Sequence, residues 1–202
     1  GRRIAPAEKG GWSMTEEQAT SGPLLGFLVV EKTAKDDGYI AALMVTDNRG
    51  YPLEFRATTP VRPSLVQRTL YGGQLEHYVG VELCGQTLIR QSSRKPRTIL
   101  VSDRQLLDIA DEVEQDMAAI WRAGEALKVE EEDADAASRG TIKSSGSQVQ
   151  PLVYEGRFTD PDSEKEMIAY LEDCAGRFDL AEAFDRMRAA LQLLAKEDSR
   201  YA

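Results

Sequence analysis

The sequence predicts a mixed α/β fold: an antiparallel three-stranded meander, then helix, strand, helix, strand and helix, with one further C-terminal helix. Three observations predict it. Leu24–Val30 ("LLGFLVV"), Tyr39–Thr46 ("YIAALMVT") and Leu53–Thr58 are short apolar or alternating runs divided by turn residues. Later apolar positions recur instead at spacings of three and four, the helical period. The 202 residues are 42% hydrophobic and 29% charged, a composition that can bury a core of ordinary domain size.

Residues 1–23 are rich in Gly, Ala, Glu and Thr without an apolar period, and predict a flexible N-terminal arm in which Trp12 and Met14 are loosely docked anchors. Residues 24–129 form the expected α/β core. Within it, "AKDDG" and "DNRG" supply turn chemistry between the three meander strands. Pro60 and Pro63 end the third strand, because proline cannot continue a ladder. Ser64–Gln91 has helical character, but Gly72, Gly73, Gly80 and Gly85 predict two pieces or a kink. A basic loop, "SSRKPR", leads into a buried strand at Thr98–Val101.

Ser102 and Gln105 then stand at the spacing of a capping box. Leu106, Leu107, Ala110, Val113, Met117, Ile120 and Trp121 share one helical face and predict a helix to about Ala123, with Asp103 at the joint. Residues 130–150 change from an acidic run to Ser/Gly-rich spacing, the signature of a linker or surface loop. Residues 151–202 add a strand at Pro151–Phe158 and the C-terminal helices, completing the same domain. The first of these helices opens around Pro161 with acidic residues at its positive end and stops at Gly176. In the second, Leu180, Phe184, Met187, Leu191 and Leu194 repeat at four, three, four and three. This seam either packs on the sheet or receives a partner.

Several functions lose their chemistry on inspection of the residues. There is no phosphate-binding Gly-Lys-Ser/Thr loop and no G-x-G-x-x-G after a strand. His77 is the only histidine, so Cys/His zinc sites lack ligands, and a His-based triad would have to use His77 on a predicted helix, with Cys84 about two turns away. Cys84 and Cys174 read as buried free thiols, and with them a reducing, cytoplasmic location is the default expectation. The N-terminal residues have no apolar signal-peptide core, although a chain opening at Gly1 points to a trimmed start. No apolar run reaches the roughly 18–20 residues of a membrane helix, so no membrane partner is expected.

The net charge of −9 is unevenly spread. Residues 24–104 carry 11 basic against 8 acidic side chains, whereas residues 105–202 carry 11 against 23. Overall acidity argues against tight non-specific nucleic-acid binding. The first half could nonetheless present a basic face, with Arg90, Arg94, Lys95 and Arg97 as either phosphate contacts or an ordinary solvated loop.

Carboxylate chemistry remains. From about Leu24 to Cys174 the order of elements resembles the ribonuclease H-like fold. That resemblance implies divalent metals held by carboxylates and hydrolysis or transfer of phosphodiesters. It places acidic residues on the first strand, the first helix, the end of the fourth strand and the start of the last core helix. The matching positions are Glu31, Glu76 or Glu82, Asp103, and Asp160 or Asp162. A pair of cations about 4 Å apart would need several such oxygens to converge. Asp103 has a purely structural alternative, as a residue of a capped helix.

Two functional expectations follow. The leading one is a non-catalytic interaction or accessory subunit of a cytoplasmic complex, needing no cofactor and meeting a protein partner through the Leu180–Leu194 seam. The alternative is a divergent metal-dependent nuclease acting on DNA or RNA. Glu31, Glu76, Asp103 and Asp160 would be its catalytic residues, with Glu31 and Asp103 holding Mg²⁺ or Mn²⁺.

Overall fold

A computed structural model describes residues 5–7, 11–13, 22–33, 38–125, 138–143, 150–158 and 160–201. Two short strands, β1 (Ala5–Ala7) and β2 (Gly11–Ser13), precede the predicted meander of β3 (Leu25–Lys32), β4 (Tyr39–Thr46) and β5 (Pro52–Ala57). β3 and β4 pair antiparallel over their full length, and β5 continues the meander with one bulge at Val45/Thr46. After the helical segment, β6 (Thr98–Val101) and β7 (Asp116–Arg122) run parallel to β3. β8 (Ser138–Ile142) and β9 (Leu152–Arg157) close the far side antiparallel. The sheet of the described residues is ordered β1-β2-β5-β4-β3-β6-β7-β9-β8.

Alternation along the strands divides the core into two layers. One face carries Phe27, Val29, Leu100 and Ala118 against α4 (Pro161–Ala175) and α5 (Glu182–Glu197). The opposite face carries Leu28, Leu43, Val101, Met117 and Ala119 against the segment Leu65–Gln91 and the 3₁₀ helix Arg104–Glu112. That segment is broken, as its glycines predict. α1 (Leu65–Tyr71) begins in a capping box between Ser64 and Gln67, and α2 (Leu75–His77) follows a 3₁₀ turn. A π-helical stretch, Tyr78–Gly85, then leads into α3 (Gln86–Gln91). Gly85 is required by proximity: a Cβ there would stand 2.4 Å from Ile109 Cδ1 and 2.8 Å from the Gly80 carbonyl oxygen.

Several sequence expectations change. The helix predicted from Ser102 to about Ala123 is instead a 3₁₀ helix followed by β7. Met117, Ala118, Ala119 and Ile120 are all buried, with Met117 and Ala119 on one face and Ala118 and Ile120 on the other. A strand covered on both faces loses its alternation, and two alanines disguise it further. Nor does Ser102 cap: Asp103 accepts the Gln105 backbone N–H at 2.9 Å.

β8 lies within the predicted linker, and it depends on Gly140 for the approach of the Tyr154 ring, which would stand 2.7 Å from a Cβ at that position. The acidic residues before β8, the Ser/Gly residues 144–149, Met14 and residues 34–37 of the "AKDDG" turn lie outside the described residues. β1 and β2 extend the sheet where the composition predicts a flexible arm, with Trp12 paired to Phe55 in register. The C-terminal seam faces inward: Leu180, Phe184, Met187 and Leu191 are buried, and Leu194 packs half-buried against the same cluster. It therefore offers no exposed stripe to a partner. Its period is helical as predicted, but its direction is set by the sheet face that β3 and β4 leave open.

Candidate functional site

Adjacent parallel strands point to the same rim. β3 and β6 are in register from Leu25↔Thr98 to Leu28↔Val101, where β6 ends, and β3 runs on along β4 to Lys32. There Val30, Glu31, Ser102, Asp103, Arg104, Gln105, Trp121 and Arg188 line one cleft of about 490 Å³. Such crevices beyond the carboxyl ends of parallel strands are where α/β sheets gather ligand-binding side chains.

Each polar group in the cleft has a local origin. Glu31 continues the row of Phe27 and Val29 toward α5, and its Oε1 accepts a hydrogen bond from Arg188 Nε at 2.6 Å. Asp103 adopts extended backbone as the N-cap of the 3₁₀ helix. Arg104 donates to Glu155 at 2.9 Å across β7, anchoring its guanidinium at the rim. Trp121, near the end of β7, is half-buried beside them.

The other predicted acidic residues go elsewhere. Glu76 on α2 is ion-paired with Lys32, one residue beyond Glu31 but on the opposite side of the strand. Asp160 caps α4, accepting the backbone N–H groups of Asp162 and Ser163 at 2.9 and 2.8 Å. It follows β9, whose Arg157 pairs with Met117 at the start of β7, so it sits at the far end of the sheet from Asp103. Antiparallel β9 carries it there. Ser163 fixes that position through hydrogen bonds to both oxygens of Asp116, the first residue of β7.

The basic loop is also at that far end, because it enters β6 rather than leaving it. Arg97 pairs with Glu166 and Arg90 with Glu112. Arg94 and the two serines before it are fixed by a carboxylate that the sequence does not single out. Glu54, 1% exposed on β5, accepts from Ser92 Oγ at 2.9 Å and from the Ser93 and Arg94 N–H groups at 3.1 and 2.9 Å. Burial would raise its pKa, but these bonds and one from Arg56 outweigh burial and hold it below the usual carboxylate value. The only signal in the sequence is an acid at the strand position between Leu53 and Phe55, which reads as a solvent-facing residue. His77 is occupied as well, 2.8 Å from Asp108.

Glu31 and Asp103 are thus brought to one cleft, and Glu76 and Asp160 are not. Among the described residues no group of three or more His, Cys, Asp or Glu could hold a metal ion. A protein cage for two cations does not fit this donor set. Two carboxylates match in number what a single Mg²⁺-like ion commonly takes from a protein, with water and substrate phosphate completing its shell. Arg188 is no obstacle: its ion pair with Glu31 is between groups 39% and 36% exposed, and exposed pairs contribute only about 0–1 kcal/mol.

The fold is ribonuclease H-like. The chain is similar to the solved structure of endonuclease V from Bacillus subtilis, with a TM-score of 0.52 and 11% identity over 87% of this chain and 84% of that one. It is also similar to endonuclease V from Streptomyces avermitilis, with a TM-score of 0.53 and 12% identity over 93% and 87%. No protein-family model matches the sequence, and no curated protein matches it. At such identities the likeness is one of fold.

Proposed function

We propose that the protein is a divergent nuclease that acts on a phosphodiester of DNA or RNA in the cleft where β3 and β6 end. One observation carries this reading: Glu31 and Asp103, from neighbouring parallel strands, line the same cleft. The similarity to two endonuclease V structures supports it through the fold. Glu31 and Asp103 would hold one Mg²⁺ or Mn²⁺ ion, which when bound would activate water and stabilise the leaving oxygen. Arg104 and Arg188 flank the carboxylates and would hold the phosphodiester by charge-assisted hydrogen bonds. The interaction reading has lost the surface on which it rested, because the α5 seam is core.

The test is cleavage of single- and double-stranded DNA and RNA with Mn²⁺, comparing the wild type with Asp103→Asn. Asparagine caps helices about as well as aspartate, so the substitution removes the charge while keeping the structural role. Loss of cleavage with unchanged thermal stability supports the nuclease. Asp103 is a cap and nothing more if Asp103→Asn cleaves as well as the wild type.

A further inference from the structure

A second cavity of about 460 Å³ adjoins the cleft, and Glu31 with Arg188 lines both. Its other walls differ in character. Ile40 from β4, Leu191 and Ala195 from α5, and Tyr201 from the terminal 3₁₀ turn give it an apolar floor. Tyr201 is 2% exposed, so its place in the floor is held by packing. Lys32, Thr33, Gln192 and Lys196 complete its lining, with the Lys32 ammonium paired to Glu76.

From these features we infer that this cavity is a nucleobase subsite, seating the base of a nucleotide whose phosphate lies in the neighbouring cleft. The inference rests on the phosphodiester reading of that cleft and extends it to what sits beside the scissile bond. A concave space of a few hundred Å³ with an apolar floor and few polar groups is the form small-molecule sites take. A flat base fills the floor, and the Gln192 amide can both donate to and accept from its hydrogen-bonding edge. The Glu31–Arg188 pair forms the shared wall. A chain that places a phosphate against Arg188 on the cleft side therefore has the cavity open beside it for the adjoining base.

Titration of nucleoside 5′-monophosphates and of ribose 5-phosphate into the full chain, followed by NMR or calorimetry without metal, tests this directly. The monophosphates should bind more tightly than ribose 5-phosphate, because only they carry a base. Ala195→Trp, which fills the floor, should weaken the monophosphates by about tenfold, the scale of one lost base contact, and leave ribose 5-phosphate unchanged. Gln192→Ala, at an exposed position with no folding risk, should reduce the preference among the four bases. Equal binding of ribose 5-phosphate and the monophosphates, or no effect of either substitution on a folded protein, overturns the subsite. If the wild type cleaves nothing with Mn²⁺ while base-dependent binding is lost in Ala195→Trp, the nuclease reading fails and the subsite stands.

Discussion

At the level of single residues, position and partner matter more than residue type. The chain has 34 acidic side chains, and several stand near plausible catalytic places. Glu54 is not among them, yet it is held by hydrogen bonds from three successive residues of the loop before β6. Replacing it by alanine leaves those donors and Arg56 unmatched, and should cost about 3–5 kcal/mol in a urea unfolding experiment. Its folded pKa is lowered, so its stabilising contribution is present above the unfolded carboxylate pKa and is lost as pH falls through the folded value. Thermal stability of the wild type should therefore fall on acidification below about pH 4.5 more steeply than that of Glu54→Gln. The cysteines give a second residue-scale expectation. Burial pushes both Cys84 and Cys174 up to about 11, so neither is a thiolate near neutral pH. Both should resist a thiol reagent in the native protein and react together on unfolding.

Among the elements, the decisive cases are those whose pattern is plain in the sequence but whose environment is not. The spacing of Leu180, Phe184, Met187 and Leu191 is helical in sequence and in structure, and all four sit in the core beneath β3 and β4. Phe184 packs edge-on against Phe27 at 5.6 Å between centroids. Phe184→Ala should accordingly cost about 3–5 kcal/mol of stability, measured by chemical denaturation; a partner-binding residue would leave the free chain almost unaffected. The π-helical stretch makes the same point from the other side. Its glycines look like breaks, but Gly85 keeps helical backbone and is glycine because Ile109 occupies the space a side chain would need. Gly85→Ala should destabilise by about 1–3 kcal/mol through overpacking, despite alanine's better helix propensity. β7 escapes a sequence reading for a related reason. Its residues are covered on both faces, so the period that distinguishes strand from helix is absent.

For the whole molecule, strand direction decides which residues can meet. β3 and β6 are parallel and adjacent, so Glu31 near the end of β3 and Asp103 beyond β6 lie toward one rim; β9 is antiparallel, so Asp160 lies toward the other. The basic loop is at the wrong end of β6 for the cleft, and among the described residues Arg104 and Arg188 are the basic side chains that line it. Nucleic-acid binding in that cleft should therefore show a shallow salt dependence, with log K falling against log salt at a slope of about −1.4 for a single strand or −1.8 for a duplex, as for two phosphate contacts. Fluorescence anisotropy at several salt concentrations measures it, and a slope several times steeper would place binding on a different surface.

The sequence by itself determined the meander, the broken helix after it, the helical period of the last two helices, and the burial of the two free cysteines. These depend on near neighbours: alternation at two, recurrence at three and four, and turn residues or glycines at the breaks. The order of those elements was enough to suggest the ribonuclease H-like fold. Only the tertiary structure decided that 116–122 is a strand, that the C-terminal seam is core, and that Glu31 and Asp103 line one cleft without Glu76 or Asp160. The reason is physical: coverage of a strand and convergence of its ends are set by which strands lie alongside and in which direction they run, and residues close in sequence carry no record of either.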